Sequence, residues 1–299
     1  MGSDPVSVLT PRSSFTLLLP GSRTLELGDR TLVMGILNVT PDSFADGGLF
    51  FDPGAAEAAA VEMEARGADL IDVGGESTRP GSDSVSAEEE IARIQPVLRR
   101  LSRAIGVPVS VDTSKAAVAE MALAEGATLV NDVTGLRYDA SLAKIAARTG
   151  AGLILMHARG PSRDMYRDAR YVTVSGEVRD ELRSSLERAI DAGVRQESVV
   201  LDPGLGFAKR PDQSYAALAA LPVLATLGCP LMAGPSRKSF LTAALGERRP
   251  DERDMATAAS VAAAVLLGAH IVRVHNVPAA VDAVHVADAV RLAGRSSQF

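Results

Sequence analysis

The stretch VMGILNVTPDSFADGG, Val33 to Gly48, decides how the rest of the chain is read. It begins as a short apolar run, stops at Asn38, and passes through Thr40-Pro41-Asp42-Ser43-Phe44 into Asp46-Gly47-Gly48. A run of that length bounded by Pro and Gly predicts a buried strand delivering a polar side chain to a mobile loop. Binding and catalytic groups concentrate on such loops. Asn38 alone could equally cap the next turn, so the decision rests on whether the pattern recurs.

It recurs along the whole chain. Leu70 to Val73 ends in Gly74-Gly75-Glu76-Ser77-Thr78-Arg79-Pro80-Gly81, Val107 to Val111 in Asp112, and Thr128 to Val130 in Asn131-Asp132. Gly152 to Met156 ends in His157, Val199 to Leu201 in Asp202-Pro203-Gly204, Pro230 to Ala233 in Gly234-Pro235-Ser236-Arg237-Lys238, and Ile271 to Val274 in His275-Asn276. Helical segments alternate with these runs. Asp52-Pro53 supplies an N-cap and a favoured first residue, Ser86 with Glu89 forms a capping-box pattern, and Gly67 and Gly126 are stops. About eight strand-helix units are the count that closes a (β/α)8 TIM barrel, an α/β fold with right-handed crossovers. The expected organisation is a flexible tail over 1–14 and one barrel domain over 15–299. That domain opens on a hairpin-like extension, Phe15 to Leu27, around Pro20-Gly21-Ser22.

Composition limits the partners. The chain has 299 residues, 46% of them hydrophobic, 4% aromatic and none Trp, which disfavours a base-stacking surface. A formal charge of −6 argues against binding a phosphate backbone. No nucleic-acid partner is expected. Cys229 is the only cysteine, which rules out an intrachain disulfide and a thiolate zinc cluster and makes the cytoplasm the default location. The longest apolar stretch, Ala258 to Ala269, falls short of the ~20 residues of a bilayer span, so no membrane partner is expected.

In such a barrel the C-terminal strand ends converge on one face, where active sites form. Asp112, Asn131, Asp202 and Lys238 mix acceptors with amide and ammonium donors, a set that suits a flat, nitrogen-rich heterocycle with N–H and C=O edges. Arg79, Arg273, His275 and Asn38, near Gly-rich turns, suit an anion such as diphosphate. A buried ion pair with Glu76 or another acid across the ring is the competing reading for Arg79 and Arg273. Asp42 and Asp46 could cap their loop or help hold Mg2+. His157, a lone histidine at a strand end, is read as structural.

These motifs together resemble the dihydropteroate synthase family. Gly35-Ile36-Leu37-Asn38-Val39-Thr40-Pro41-Asp42-Ser43-Phe44 is similar to its first signature, and Ile71 to Gly81 to its second. The likeness continues through Ser110-Val111-Asp112-Thr113, Val130-Asn131-Asp132-Val133, Met156-His157, Leu201-Asp202-Pro203-Gly204, Ser236-Arg237-Lys238 and Arg273-Val274-His275. The resemblance implies a transferase of folate biosynthesis. It would join 6-hydroxymethyl-7,8-dihydropterin diphosphate to p-aminobenzoate with Mg2+ and be a sulfonamide target and a homodimer.

By matching positions, Asp112, Asn131, Met156, Asp202, Phe207 and Lys238 would hold the pterin. Asn38, Thr78, Arg79, Arg273 and His275 would hold the diphosphate, with Asn38 and Asp46 near the metal. Phe44, Thr78, Pro80, Phe207, Ser236 and Lys238 would frame p-aminobenzoate. The catalytic set implied is Asn38, Arg79, Asp112, Lys238, Arg273 and His275. Departures from the family pattern are Asn276 in place of a common Asp, Ala208 in place of a frequent Gly, and Pro235 at a variable position. A methyltetrahydrofolate-binding methyltransferase domain and a non-catalytic pterin-binding paralogue are the alternatives.

Overall fold

The computed structural model describes residues 12–40, 52–77, 84–160, 166–167 and 169–296. An antiparallel pair, β1 (Phe15–Leu18) and β2 (Thr24–Leu27), comes first, turned by Pro20–Ser22. The barrel follows as β3 (Leu32–Asn38), β4 (Leu70–Gly74), β5 (Val109–Asp112), β6 (Leu129–Asp132), β7 (Gly152–Met156), β8 (Val199–Asp202), β9 (Met232–Ala233) and β10 (Ile271–Val274). The intervening helices are α1 (Pro53–Ala65), α2 (Ala87–Ala104), α3 (Ala116–Ala124), α4 (Ser141–Thr149), α5 (Val174–Asp191), α6 (Pro211–Ala219), α7 (Leu221–Leu224), α8 (Thr242–Leu245), α9 (Asp254–Leu266) and α10 (Val277–Ser296). The expected caps form: Asp52 accepts from Gly54 N at 2.8 Å and Ser86 Oγ from Glu89 N at 3.2 Å.

The sheet is parallel in the order β8-β7-β6-β5-β4-β3-β10-β9. Its two ends meet through one bridge, Leu201 to Leu231, so the barrel closes at a narrow seam. Successive strand residues point to opposite faces. Val33, Leu37, Ile71, Val73, Val111, Val130, Leu153, Leu155, Leu201 and Val272 face outward into the core shared with the helices. Leu32, Met34, Leu70, Leu129, Ile154, Val200, Met232 and Ile271 face inward and pack with Leu17, Leu19 and Leu27 of the hairpin, which plugs the N-terminal end of the barrel. The same parity carries Asn38, Asp72, Asp112, Asn131, Met156, Asp202 and Arg273 inward at the other end.

Arg12, within the segment expected to be a tail, is only 6% exposed and is built into this base. Its guanidinium donates to Gly28 O at 2.9 Å, Ala269 O at 3.1 Å and Asp288 Oδ1 at 3.0 Å. Residues 1–11 lie outside those described. Among the described residues no helix is long and apolar enough to cross a membrane.

Candidate active site

Strand register sets the floor of the site. Asn38 pairs with Gly74, Gly74 with Asp112, and Asp112 with Asn131, which puts these residues in one row across β3 to β6. Arg273 projects into the barrel interior from β10, the strand beside β3. Its Nε donates to Asp72 Oδ2 at 2.5 Å and its Nη2 to Asp112 Oδ2 at 2.7 Å. The competing reading of Arg273 as half of an ion pair therefore holds, with Asp72 and Asp112 as the acids. Glu76 is engaged elsewhere: Lys115 bridges it to the buried Glu90.

Asp72 also accepts from Asn131 Nδ2 at 2.9 Å. A carboxylate accepts, so this bond uses one N–H of the Asn131 amide and leaves its second N–H and its Oδ1 for other partners. Asn131 thus brings an open acceptor, Oδ1, to the site beside its donating amide. Asp72 Oδ1, Asp112 Oδ1 and Asn131 Oδ1 are buried with no hydrogen-bond partner among the described residues. Buried acceptors left unpaired cost roughly 1–3 kcal/mol each, a penalty a ligand rich in N–H groups would remove. Burial, with help from Asp72 and against the pull of Arg273, pushes the Asp112 carboxyl up to about 7.

The opposite wall is built by β8 and the turn after β9. Asp202 Oδ1 accepts from Gly204 N at 2.7 Å. Burial raises the Asp202 carboxyl above its ordinary range, and Lys238 opposes that rise. Burial lowers Lys238 to about 8, while Asp202 works to keep it protonated. The Lys238 ammonium lies 4.5 Å from the centre of the Phe207 ring, a cation–π contact that fixes both groups. Met156 lies beneath, against Gly204.

The third group joins the two strands flanking the entrance. Ser236 Oγ accepts from His275 N at 3.0 Å and meets His275 Nδ1 at 2.8 Å, the direction of the second bond following the tautomer of the ring. That leaves His275 Nε2 toward Asn38, whose amide nitrogen is 3.5 Å away. Asn38, His275 and Ser236 are thus brought together. The Ser236-Arg237-Lys238 turn is strained, with Arg237 at φ 56°. Asp254 holds it by accepting from Arg237 Nε at 2.6 Å and Nη2 at 2.8 Å. Asn276 donates to the same Asp254 at 2.8 Å and accepts from Ala279 N at 3.2 Å, capping α10.

Phe44, Asp46, Thr78, Arg79 and Pro80, together with the expected loop movement over Thr40 to Gly48 beyond residue 40, lie outside the described residues. Among the described residues no three His, Cys, Asp or Glu side chains gather as a metal cluster. His157 faces away from the barrel interior, with Nε2 at 3.1 Å from Glu181, in keeping with a structural role. Asp72 went unnoticed in the sequence reading, although a lone carboxylate inside Leu70-Ile71-Asp72-Val73 was the signal for it. Lys209 and Asp254 carried no such signal.

Comparison with known proteins agrees with this geometry. A family model described as "Pterin binding enzyme" matches residues 34–275. The chain is 44% identical over 273 residues to the dihydropteroate synthase of Synechocystis sp., covering 91% of this chain and 94% of that protein. A Xanthomonas albilineans dihydropteroate synthase structure with 4-aminobenzoic acid superposes with a TM-score of 0.85 at 40% identity, over 92% of this chain and 98% of that one. A Burkholderia cenocepacia dihydropteroate synthase complexed with 7,8-dihydropteroate gives 0.82 at 41% identity, over 94% and 98%.

Proposed function

The chain belongs to the dihydropteroate synthase family of pterin-binding enzymes, and from that premise we propose how its barrel mouth divides the reaction. It is a transferase that condenses 6-hydroxymethyl-7,8-dihydropterin diphosphate with p-aminobenzoate, giving 7,8-dihydropteroate and diphosphate. The observation that carries the site assignment is the trio of buried, unpaired acceptors on Asp72, Asp112 and Asn131. They call for N–H donors, which the amino-pyrimidine edge of a pterin supplies. Asp202 and Lys238 complete that pocket, with Met156 below it and Phe207 at its edge.

Asn38, His275 and Ser236 stand at the diphosphate and p-aminobenzoate end, together with Thr78, Arg79, Phe44 and Pro80 by family position. Arg273 spends Nε and Nη2 on Asp72 and Asp112, so its cationic field serves both pterin pocket and leaving group. Mg2+ keeps several waters and few protein ligands, and it shares its coordination with substrate phosphates. Asn38, with Asp46, fits that role, and the ion would neutralise the departing diphosphate.

The arylamine is a neutral nucleophile near pH 7 and needs no strong base. The main task of the site is to stabilise separating charge as the C–O bond to diphosphate breaks and the C–N bond forms. Because sulfonamides share the arylamine edge of p-aminobenzoate, we assign the same wall to them. A homodimer in the cytoplasm is part of this reading, and Met255, 84% exposed on α9, supports an interface there.

The test is diphosphate release measured with both substrates and Mg2+. Release dependent on p-aminobenzoate is expected. Pterin diphosphate binding with no such turnover would instead identify a non-catalytic paralogue.

A further inference from the structure

Lys209 lies outside the barrel interior, at 1% exposure, where a lysine is seldom found without a reason. Its ammonium meets His157 Nδ1 at 2.8 Å, Gly204 O at 3.1 Å and Phe207 O at 3.1 Å. His157 O lies at 3.4 Å as a fourth, longer contact, so the acceptors around Nζ outnumber the two N–H bonds of a neutral amine and call for the three of an ammonium. Burial pushes Lys209 well below the range of an exposed lysine, and Asp202 is the main charge opposing that shift.

The bonds of Lys209 begin a closed circuit. His157 must accept at Nδ1 and so donates from Nε2 to Glu181 at 3.1 Å. Arg159 Nε donates to Glu181 at 2.9 Å, and its guanidinium stacks 4.0 Å over the ring of Tyr171. Tyr171 Oη then donates to Ala208 O at 3.0 Å, returning to the residue beside Lys209. The carbonyls of Gly204, Phe207 and Ala208 are thereby all fixed from outside the barrel.

The loop so held is under constraint at both ends. Gly204 has φ 66°, and a Cβ there would sit 1.9 Å from His157 O, so the loop is pressed onto the β7 end. Ala208 has φ 47°, a left-handed conformation that a residue with a Cβ adopts only when its surroundings enforce it. Between them lie the two residues touching Lys238. Phe207 presents its ring to the ammonium at 4.5 Å, and Gly206 backs the Lys238 stem, whose Cδ would be 3.2 Å from any added Cβ.

We propose that Lys209 is a positioning residue for the second substrate: through the carbonyls of Gly204 and Phe207 it sets the Phe207–Lys238 wall against which p-aminobenzoate lies. The inference rests on the functional reading above. The pterin shares Lys238 and Phe207 with this wall, but it keeps Asp112, Asn131 and Asp202 if the wall shifts. Among the described residues p-aminobenzoate has only Phe207, Ser236 and Lys238, so it loses the larger share.

Lys209→Met preserves the stem and removes all three donors. The KM for p-aminobenzoate should rise by about tenfold or more, while the Kd of pterin diphosphate, measured by calorimetry, moves by less than about threefold. Tyr171→Phe, which removes only the bond to Ala208 O, should raise the same KM by about threefold. A purely structural lysine would lower the denaturation midpoint and the active fraction and leave KM unchanged, and that result overturns the proposal. If Lys209→Met does not fold, an unchanged KM in Tyr171→Phe overturns it equally. Wild-type enzyme lacking any p-aminobenzoate-dependent diphosphate release would instead overturn the functional reading, and this inference with it.

Discussion

Asp112 keeps its carboxyl among three acids, Asp72, Glu90 and Asp132, and one guanidinium, and burial raises it to about 7. In the free protein a raised acid stabilises the fold while protonated, and that contribution is lost as pH climbs through about 7. A pterin edge that donates N–H bonds requires the ionised form, so binding must expel this proton. On the alkaline side Lys238, lowered to about 8, loses its ammonium charge. Pterin affinity measured calorimetrically between about pH 5.5 and 9 should therefore pass through a narrow maximum. Its acid limb belongs to Asp112, titrating beside the Arg273 guanidinium. Asp112→Asn should abolish that limb and weaken binding at every pH, and a flat wild-type profile would count against this account. The position of Asp112 was legible from its place at a strand end. The direction in which Asn131 offers its amide was not, because that depends on Asp72, which touches it only once β4, β5 and β6 are in register.

At the level of elements, the strands were easy to read because each is a short apolar run ended by Pro, Gly or a polar residue. Their parity was harder, since both faces of a barrel strand are largely apolar, and only the buried Asp72 marks the inward face of β4. The turns were the least legible. Ser236-Arg237-Lys238 is held by Asp254, 17 residues downstream of Arg237, and by Asn276 beyond the next strand. Asn276 is suited to that neighbour: its amide donates to Asp254, whereas a carboxylate there would repel it and compete for Arg237. Asn276→Asp should keep the α10 cap and lose about 1 kcal/mol of stability near pH 7. The penalty arises only when both carboxylates are ionised, so it should shrink as pH falls toward about 4, where one is protonated. Urea titrations at the two pH values would show it; an equal loss at both would place the effect outside this carboxylate pair.

The molecule as a whole is a barrel with one weak place. Seven strand pairs form ladders, but β8 and β9 meet only at Leu201 and Leu231, backed by Leu201 N donating to Pro230 O at 3.0 Å. The sequence showed the count of units without showing where closure is thin, because a two-residue β9 looks no shorter than its neighbours in an apolar run. The structure reinforces the seam from below. His270 accepts from Leu231 N at 3.0 Å through Nδ1 and meets Ser13 O at 3.0 Å through Nε2, which ties the chain ahead of the hairpin to the closing strands. Arg12 extends the tie to Ala269 and to Asp288 on α10, while Asp288 accepts from Thr31 N at 2.6 Å. Removing the guanidinium leaves Asp288 without its counter-charge and the carbonyls of Gly28 and Ala269 without a donor. Arg12→Ala should lower unfolding free energy by roughly 3–5 kcal/mol, the range for breaking a buried pair. The reaction face is at the other end of the barrel, so KM for both substrates should stay near wild type while the urea midpoint falls. A loss below about 1 kcal/mol would mean that the hairpin and its apolar plug hold the seam without Arg12.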